Sequence, residues 1–385
     1  MNWEKVKLGE IADFSNGINF GKDAYDKGIK LIGVSDFGNR FSPDYDSLDE
    51  VKEEVVKKND VLLSGDMVFV RSNGNKELVG RCMLIDCPIV PVTYSGFCIR
   101  ARLKDTTKHY PTFWTYHFKN SSFRRAMSGT AVGANIQNLS QSRLSTYEAI
   151  VPDYESQVRI AKVLSSYDNL IKNNQKQIKL LEEAAQRFYK EWFVDLHFPG
   201  YEDVTIVDGV PKGWSKEPIG SIIGKVSRTK QIKTADYLLE GAIPVIDQSR
   251  NFIAGYTNDS EALVNTGTPV IVFGDHTRIL KYIQFPFAKG ADGTQLIISD
   301  RTNMPQSLLY LSLITVDLSN YHYARHFKYL KAESILIPSQ DVADEFDRLI
   351  SPIFSQIQKL REKCYKLSQA RDRLLPKLMS GEIEV

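Results

Sequence analysis

The chain has 385 residues, 42% hydrophobic and 25% charged, which is ordinary for soluble globular protein and long enough for two or three domains. Its 49 basic and 47 acidic side chains leave a formal charge of +2, so composition neither announces nor excludes a nucleic-acid partner. No apolar run approaches the roughly 18 residues of a membrane span and the N-terminus lacks a signal-peptide core, which predicts a cytoplasmic protein with no membrane partner.

Residues 1–152 read as a first globular body. Short apolar runs at 29–34, 61–63, 67–70, 82–85 and 97–103 alternate with Gly, Asn and Asp turns and predict strands. Polar loops lie between them at 15–22, 35–40, 71–76 and 123–138. Residues 111–125 read as a helix, with Pro111 in its first turn and Phe113, Trp114, His117 and Phe118 at helical spacing. Cys82, Cys87, Cys98 and Cys364 show no zinc-type pairing and predict four buried thiols and no metal site.

Residues 153–198 form the best helix. Ile160, Leu164, Tyr167, Ile171, Asn174, Ile178, Leu181, Ala185, Phe188 and Trp192 are spaced alternately four and three apart, a heptad seam made to bury against a second helix. Asn174 is its polar member, either a register-setting amide or an exposed middle. Pro199 and Gly200 end the helix, and 208–213 (DGVPKG) reads as a linker.

A second body follows at 199–338 and a final helix at 339–385. Placing Pro152 on Pro338, a shift of 186 residues, lays the first seam on Phe346, Ile350, Ile353, Ile357, Leu360, Cys364, Leu367, Arg371, Leu374 and Leu378 without a gap. A repeat this long is a duplicated domain rather than a solenoid. Trp3, Leu8, Gly9 and Ile11 return as Trp214, Ile219, Gly220 and Ile222, and 65–70 overlays 267–272. Elsewhere the two bodies diverge, as two readers of different targets would. Pro352 and Pro376 predict a kink or a late start in the second helix. The fold expected is α+β, with an internal repeat.

Catalytic signatures are missing. GSIIGKV at 220–226 resembles a phosphate loop only faintly, with three residues between its glycines and Val226 where Ser or Thr would bind magnesium. There is no G-x-S-x-G, H-E-x-x-H or C-x-x-C, and no adenine-methyltransferase signature. The polar loops suit nucleic acid better. In the first body Arg71, Asn73, Lys76, Arg124, Arg125, Ser128, Thr130 and Asn135 combine cations and hydroxyls for phosphates with amides for base edges. A solvated helix end and loop is the plainer reading. In the second, GDHTR at 274–278 with His276, Thr277 and Arg278, then Lys281, and YHYARHFK at 321–328 with Tyr323, Arg325 and His326, interleave aromatics with cations. A core tyrosine cluster with a solvated basic rim explains the same pattern. His109, His117 and His197 read as structural.

FYKEWFVDLHFPG at 188–200, LLPKLMSGEI at 374–383, the spacing of Pro152, Gln157, Ile160, Leu164 and Asp168, and the GDHTR and ARHFKYL runs resemble the specificity subunit of type I restriction-modification enzymes over essentially the whole chain. The resemblance implies two target-recognition domains held apart by an antiparallel two-helix coiled coil with a pseudo-twofold repeat. Each domain would read one half of a bipartite site in double-stranded DNA. It further implies two modification subunits using S-adenosylmethionine and two restriction subunits using ATP and Mg, with no cofactor in this chain and no catalysis by it. From Ile160 to Trp192 a helix rises roughly 50 Å, enough to space two readers by about one turn of B-DNA. The alternatives are a nuclease or methyltransferase, disfavoured by the missing motifs, and a coiled-coil protein-binding adaptor without DNA readout.

Overall fold

A computed structural model describes residues 3–38, 40–73, 78–128, 137–321 and 325–385, with the backbone alone at Asn73, Ser128 and Gln137. The chain divides into two compact units, Met1–Asn173 with Cys364–Val385, and Asn174–Lys363. Each mixes helices and strands, as an α+β chain should.

In the first unit the strand Met67–Val70, buried at every position, lies between Cys98–Leu103 and Cys82–Leu84, with Ala12–Asn16 at the edge of the sheet. A smaller mixed sheet joins Asp49–Val51, Tyr25–Ile32 and Val92–Tyr94. Residues 61–63 are not a strand: Leu62 is buried beneath an irregular segment while Leu63 points out. The expected helix at 111–125 is two helices, Pro111–Lys119 and Ser121–Ser128. They part at Asn120, whose backbone is extended at ψ 141°. Phe113, Trp114, Tyr116, Phe118 and Phe123 fill the core under them, each such ring stabilising by about 1.5–3 kcal/mol.

The second unit has the strand Val270–Gly274 between Leu280–Ile283 and Thr294–Ile297, with a mixed sheet of Gly255–Thr257, Ile243–Ile246, Phe287–Lys289 and Leu263–Val264. Residues 208–213 do more than link. Asp208 and Gly209, at φ 51° and 74°, turn a hairpin between Ile206–Val207 and Val210–Pro211, the geometry that Asp-Gly favours.

The repeated residues make matching contacts in the two units. Trp3–Lys7 pairs antiparallel with Glu148–Pro152, and Ser215–Pro218 with Ser334–Ile337. A Cβ on Gly9 would meet the Ser145 carbonyl oxygen at 3.0 Å, and one on Gly220 the Lys331 carbonyl oxygen at 3.1 Å. Ser145 and Lys331 are themselves 186 residues apart. The glycine is therefore kept where a turn presses on the backbone of a short helix. The same contact removes GSIIGKV as a phosphate loop, because Ile219–Ser221 is a single 3-10 turn with no α-helix after it to point amides at a phosphate.

The central helix spans Tyr154–Tyr189, opened by Asp153, whose carboxylate accepts from the Ser156 amide at 3.0 Å. Ile160, Leu164, Ile171 and Asn174 are buried, the last at 8% exposure. Phe188 departs from the predicted seam: it is 41% exposed, and Tyr189 takes the inward place. A π-helical turn at Lys190–Val194 adds a residue to the turn and rotates the end of the helix, which still buries Trp192 against Phe346, ring centres 5.5 Å apart. The C-terminal helix runs unbroken from Gln340 to Ser380, so no late start occurs. Both prolines lie on its exposed face, where water can satisfy the carbonyl that each leaves unbonded. Ile350, Ile357, Leu360 and Leu378 are buried, Leu367 and Leu374 partly so.

Helix meets helix within each unit. In the first, Arg371 pairs with Asp168 and the Cys364 thiol faces the Ile171 carbonyl; in the second, Arg361 binds Glu182 at 2.7 Å. The thiols are not uniformly buried. Cys82 and Cys98 are, with burial pushing each up to about 12, whereas Cys87 is exposed and Cys364 half-buried. Among the described residues no helix is long and apolar enough to cross a membrane.

Candidate nucleic-acid interface

GDHTR is a tight turn leaving the buried strand Val270–Gly274, and most of its letters are explained by the turn itself. A Cβ on Gly274 would lie 2.1 Å from the Thr277 hydroxyl and 2.9 Å from the Gln248 Cβ. Asp275 is buried, and its carboxylate accepts from the Phe327 amide at 2.8 Å, fastening the first turn of the helix His326–Ala332. The Thr277 hydroxyl donates to the Gln248 carbonyl at 2.7 Å, and Gln248 Oε1 accepts from the His276 amide at 3.1 Å. Arg278 adopts φ 60° and donates to the Leu318 carbonyl at 3.0 Å. The turn leaves His276, Thr277 and Arg278 exposed.

Two of the predicted contact residues are structural instead. His326 is buried, with Nδ1 and Nε2 each 2.9 Å from a backbone carbonyl, of Asp275 and Tyr321 respectively. It holds the turn against the helix and has no nitrogen left for a base. Lys281 is 5% exposed, donating to the Asp247 and Asn251 carbonyls at 2.7 and 2.5 Å. Burial, opposed only by Asp247, pushes its pKa down to about 8. Both residues sit next to good candidates in sequence and face the other way. Tyr321 and Tyr329 stack at 4.0 Å, so the tyrosine cluster of the plainer reading is present too.

His276 and Arg325 do come together. They border a cleft of about 300 Å³ lined also by Gln231, Asp275, Lys289, Asp292, Gly293, Thr294 and Gln295. Arg325 is exposed at its rim, Lys289 half-buried, and Thr294 fully buried. Desolvation lowers the Lys289 pKa, Asp292 partly restoring it. None of Gln231, Lys289, Thr294 and Gln295 is marked by the sequence as more than turn or strand chemistry; the run GADGTQ at 290–295 was the available signal.

In the first unit the candidates scatter. Arg71 is half-buried, its guanidinium donating to the Gly96 carbonyl at 3.3 Å. The ladder Ser72–Asn73 with Gln137–Asn138 runs beside it. Arg125 is exposed and donates to the Ser121 carbonyl at 3.3 Å. Arg124 instead lines a cavity of about 310 Å³ with Arg81, Lys119, Arg371 and Asp372, and Arg371 is itself paired with Asp168 and Asp372. Burial lowers the Lys119 pKa to about 8. Lys76, Thr130, Asn135 and, in the second unit, Tyr323 lie outside the described residues, as do the side chains of Asn73 and Ser128.

Residues 1–183 match the family model of the type I restriction modification DNA specificity domain. The specificity subunit of the type I restriction enzyme MjaIX from Methanocaldococcus jannaschii is 26% identical over 297 residues, 70% of this chain and 68% of that protein. The putative MjaX specificity subunit of the same organism is 22% identical over 363 residues, 88% of this chain and 83% of that one. A crystal structure of the type I restriction-modification S subunit from M. genitalium covers 98% of this chain and 96% of that chain with a TM-score of 0.57 at 16% identity, a likeness of fold.

Proposed function

The chain belongs to the specificity-subunit family of type I restriction-modification enzymes, and from that premise we propose that it reads a bipartite site in double-stranded DNA, one half with each body. It performs no bond chemistry itself. The observation that carries the reading is the pairing of a repeated frame with unlike polar surfaces: Gly9 against Ser145 and Gly220 against Lys331 are one contact made twice, while the His276–Arg325 cleft and the Arg81–Arg124 cavity have different linings. A shared scaffold with divergent loops is what two independent readers need. The domains proposed are 1–152 and 199–338 as target-recognition domains, with 153–198 and 339–385 as an antiparallel coiled coil related by a pseudo-twofold axis. Arg371–Asp168 and Arg361–Glu182 support the antiparallel pairing.

In this reading the helices set the unspecified spacer and dock two modification subunits, which supply S-adenosylmethionine chemistry, and two restriction subunits, which supply ATP and Mg. Salt dependence tests DNA reading against a protein-binding adaptor. Phosphate contacts make log K fall by about 0.9 for each phosphate neutralised as log salt rises, and an adaptor has no such slope. The helix role has its own test. Four residues inserted near Asn174 add about 6 Å of rise and should lengthen the spacer by one or two base pairs. An unchanged spacer would remove the ruler and leave the rest standing.

A further inference from the structure

We infer that Thr294 is a specificity-determining residue, its hydroxyl forming a hydrogen bond with a base of one nucleotide admitted to the cleft between His276 and Arg325. The inference rests on the DNA-reading role proposed above and assigns it a place in the second body.

Thr294 is 0% exposed, and its Oγ1 finds no hydrogen-bond partner. Buried hydroxyls are ordinarily bonded, because desolvation otherwise goes uncompensated. Valine has nearly the same shape and would bury here without that cost. The residue opens the strand Thr294–Ile297 and is paired with Gly274, so it lies directly beside the GDHTR turn. Its neighbour Gly293 is at φ 80°, and a Cβ there would come within 2.7 Å of both Gln248 Nε2 and His276 Cδ2. The wall beside the hydroxyl is thus built to the width of a glycine.

The remaining lining indicates the ligand. Gln231 is already engaged, donating to the Gly290 carbonyl at 3.2 Å and to Asp292 at 3.4 Å, and Asp275 is held by Phe327. That leaves the fully buried Thr294 hydroxyl inside, with Lys289 and Gln295 half-buried and Arg325 exposed. Cations outside and neutral donor-acceptor groups inside are the complement of a nucleotide whose phosphate stays at the rim while its base edge enters. Asp275 and Asp292 in the wall oppose a bare phosphate ion, and the exposed Asp292 carboxylate can accept from an exocyclic amine. A cleft of about 300 Å³ has room for one base.

The test is Thr294→Val in the complex with its modification subunits, read by methylation mapping, by thermal melting, and by binding to cognate and scrambled duplexes. The inference predicts a melting temperature unchanged or raised, since no bond within the protein is lost. It predicts a cognate affinity about tenfold weaker, an unchanged scrambled-duplex affinity and salt slope, and degeneracy at one position in the half-site of the second body only. Thr294→Ser, which keeps the hydroxyl, should restore that position. A Thr294→Val protein that methylates the wild-type motif with wild-type discrimination overturns the inference while the DNA-reading role stands. So does one that unfolds, because the hydroxyl is then structural. A wild-type complex giving no two-part motif removes the DNA-reading role and the inference with it.

Discussion

Arg371 and Asp168 form an ion pair between the two long helices inside the first unit, their side chains only 18% and 15% exposed, and the same carboxylate accepts the Tyr116 hydroxyl at 2.5 Å. The first body is thereby tied to both helices through one carboxylate. Asp168→Asn removes the more buried of the two carboxylates on the Arg371 guanidinium, leaving Asp372 at 2.8 Å, and should cost about 1–3 kcal/mol in urea unfolding. Tyr116→Phe should cost about 1 kcal/mol, and the double variant less than the sum, because the bonds share an acceptor. Strict additivity would show that Tyr116 and Asp168 are not coupled.

Lys281 looks like a DNA contact in sequence and behaves as a strut in the fold. Lys281→Met removes the donor to the Asp247 and Asn251 carbonyls and the cation 3.9 Å from the Asp247 carboxylate, which keeps the Ser249 amide and the Tyr237 hydroxyl. We expect a loss of about 2–4 kcal/mol in stability, with the salt slope of DNA binding unchanged by any folded protein. A slope smaller by about one, with normal stability, would return Lys281 to the interface.

His117 is buried among Trp114, Phe118, Phe123 and Tyr147, and burial alone holds its pKa at about 4, down from 6.5. The folded state therefore binds fewer protons than the unfolded between those values, so stability is full above pH 6.5 and falls as pH drops toward 4. The linkage is worth roughly 3 kcal/mol across the window. His117→Phe should flatten that part of the melting-temperature profile; an identical acid slope would mean that the imidazole is not held neutral.

Gly9→Ala and Gly220→Ala each force a Cβ against a carbonyl oxygen, at 3.0 and 3.1 Å. Both should destabilise, by about 1–3 kcal/mol, through the same overpacking at equivalent points of the repeat. Thermal melting of the two variants checks it, and a marked asymmetry would show that only one unit closes tightly there.

These residues also show how far the sequence could be read. Ile160, Leu164 and Ile171 declare a buried seam because helical periodicity depends on spacing alone, and Gly9 and Gly220 mark the repeat because a glycine under a close approach cannot be exchanged cheaply. Phe188 fails because a straight α-helix of 3.6 residues per turn drifts about 20° per heptad from a strict seven-residue count, so that after Ala185 the inward place falls on Tyr189. Pro352 does not delay the helix start because an exposed helix face tolerates what an inward one would not. At the site, composition finds GDHTR and cannot say which side chains turn inward. Asp275, Thr277, Lys281 and His326 hold the backbone, whereas His276 and Arg325 face the cleft. Thr294 and Gln295 escaped because Thr and Gln on a strand look ordinary until their partners are counted.

The most direct measurement of the central claim is a methylation map of DNA from cells expressing this chain with its modification partner. We predict a two-part motif with a fixed gap, one half changing when 1–152 is exchanged for another recognition body and the other half when 199–338 is. A single continuous motif, or one that ignores the exchange of either body while the complex still assembles, would contradict the account.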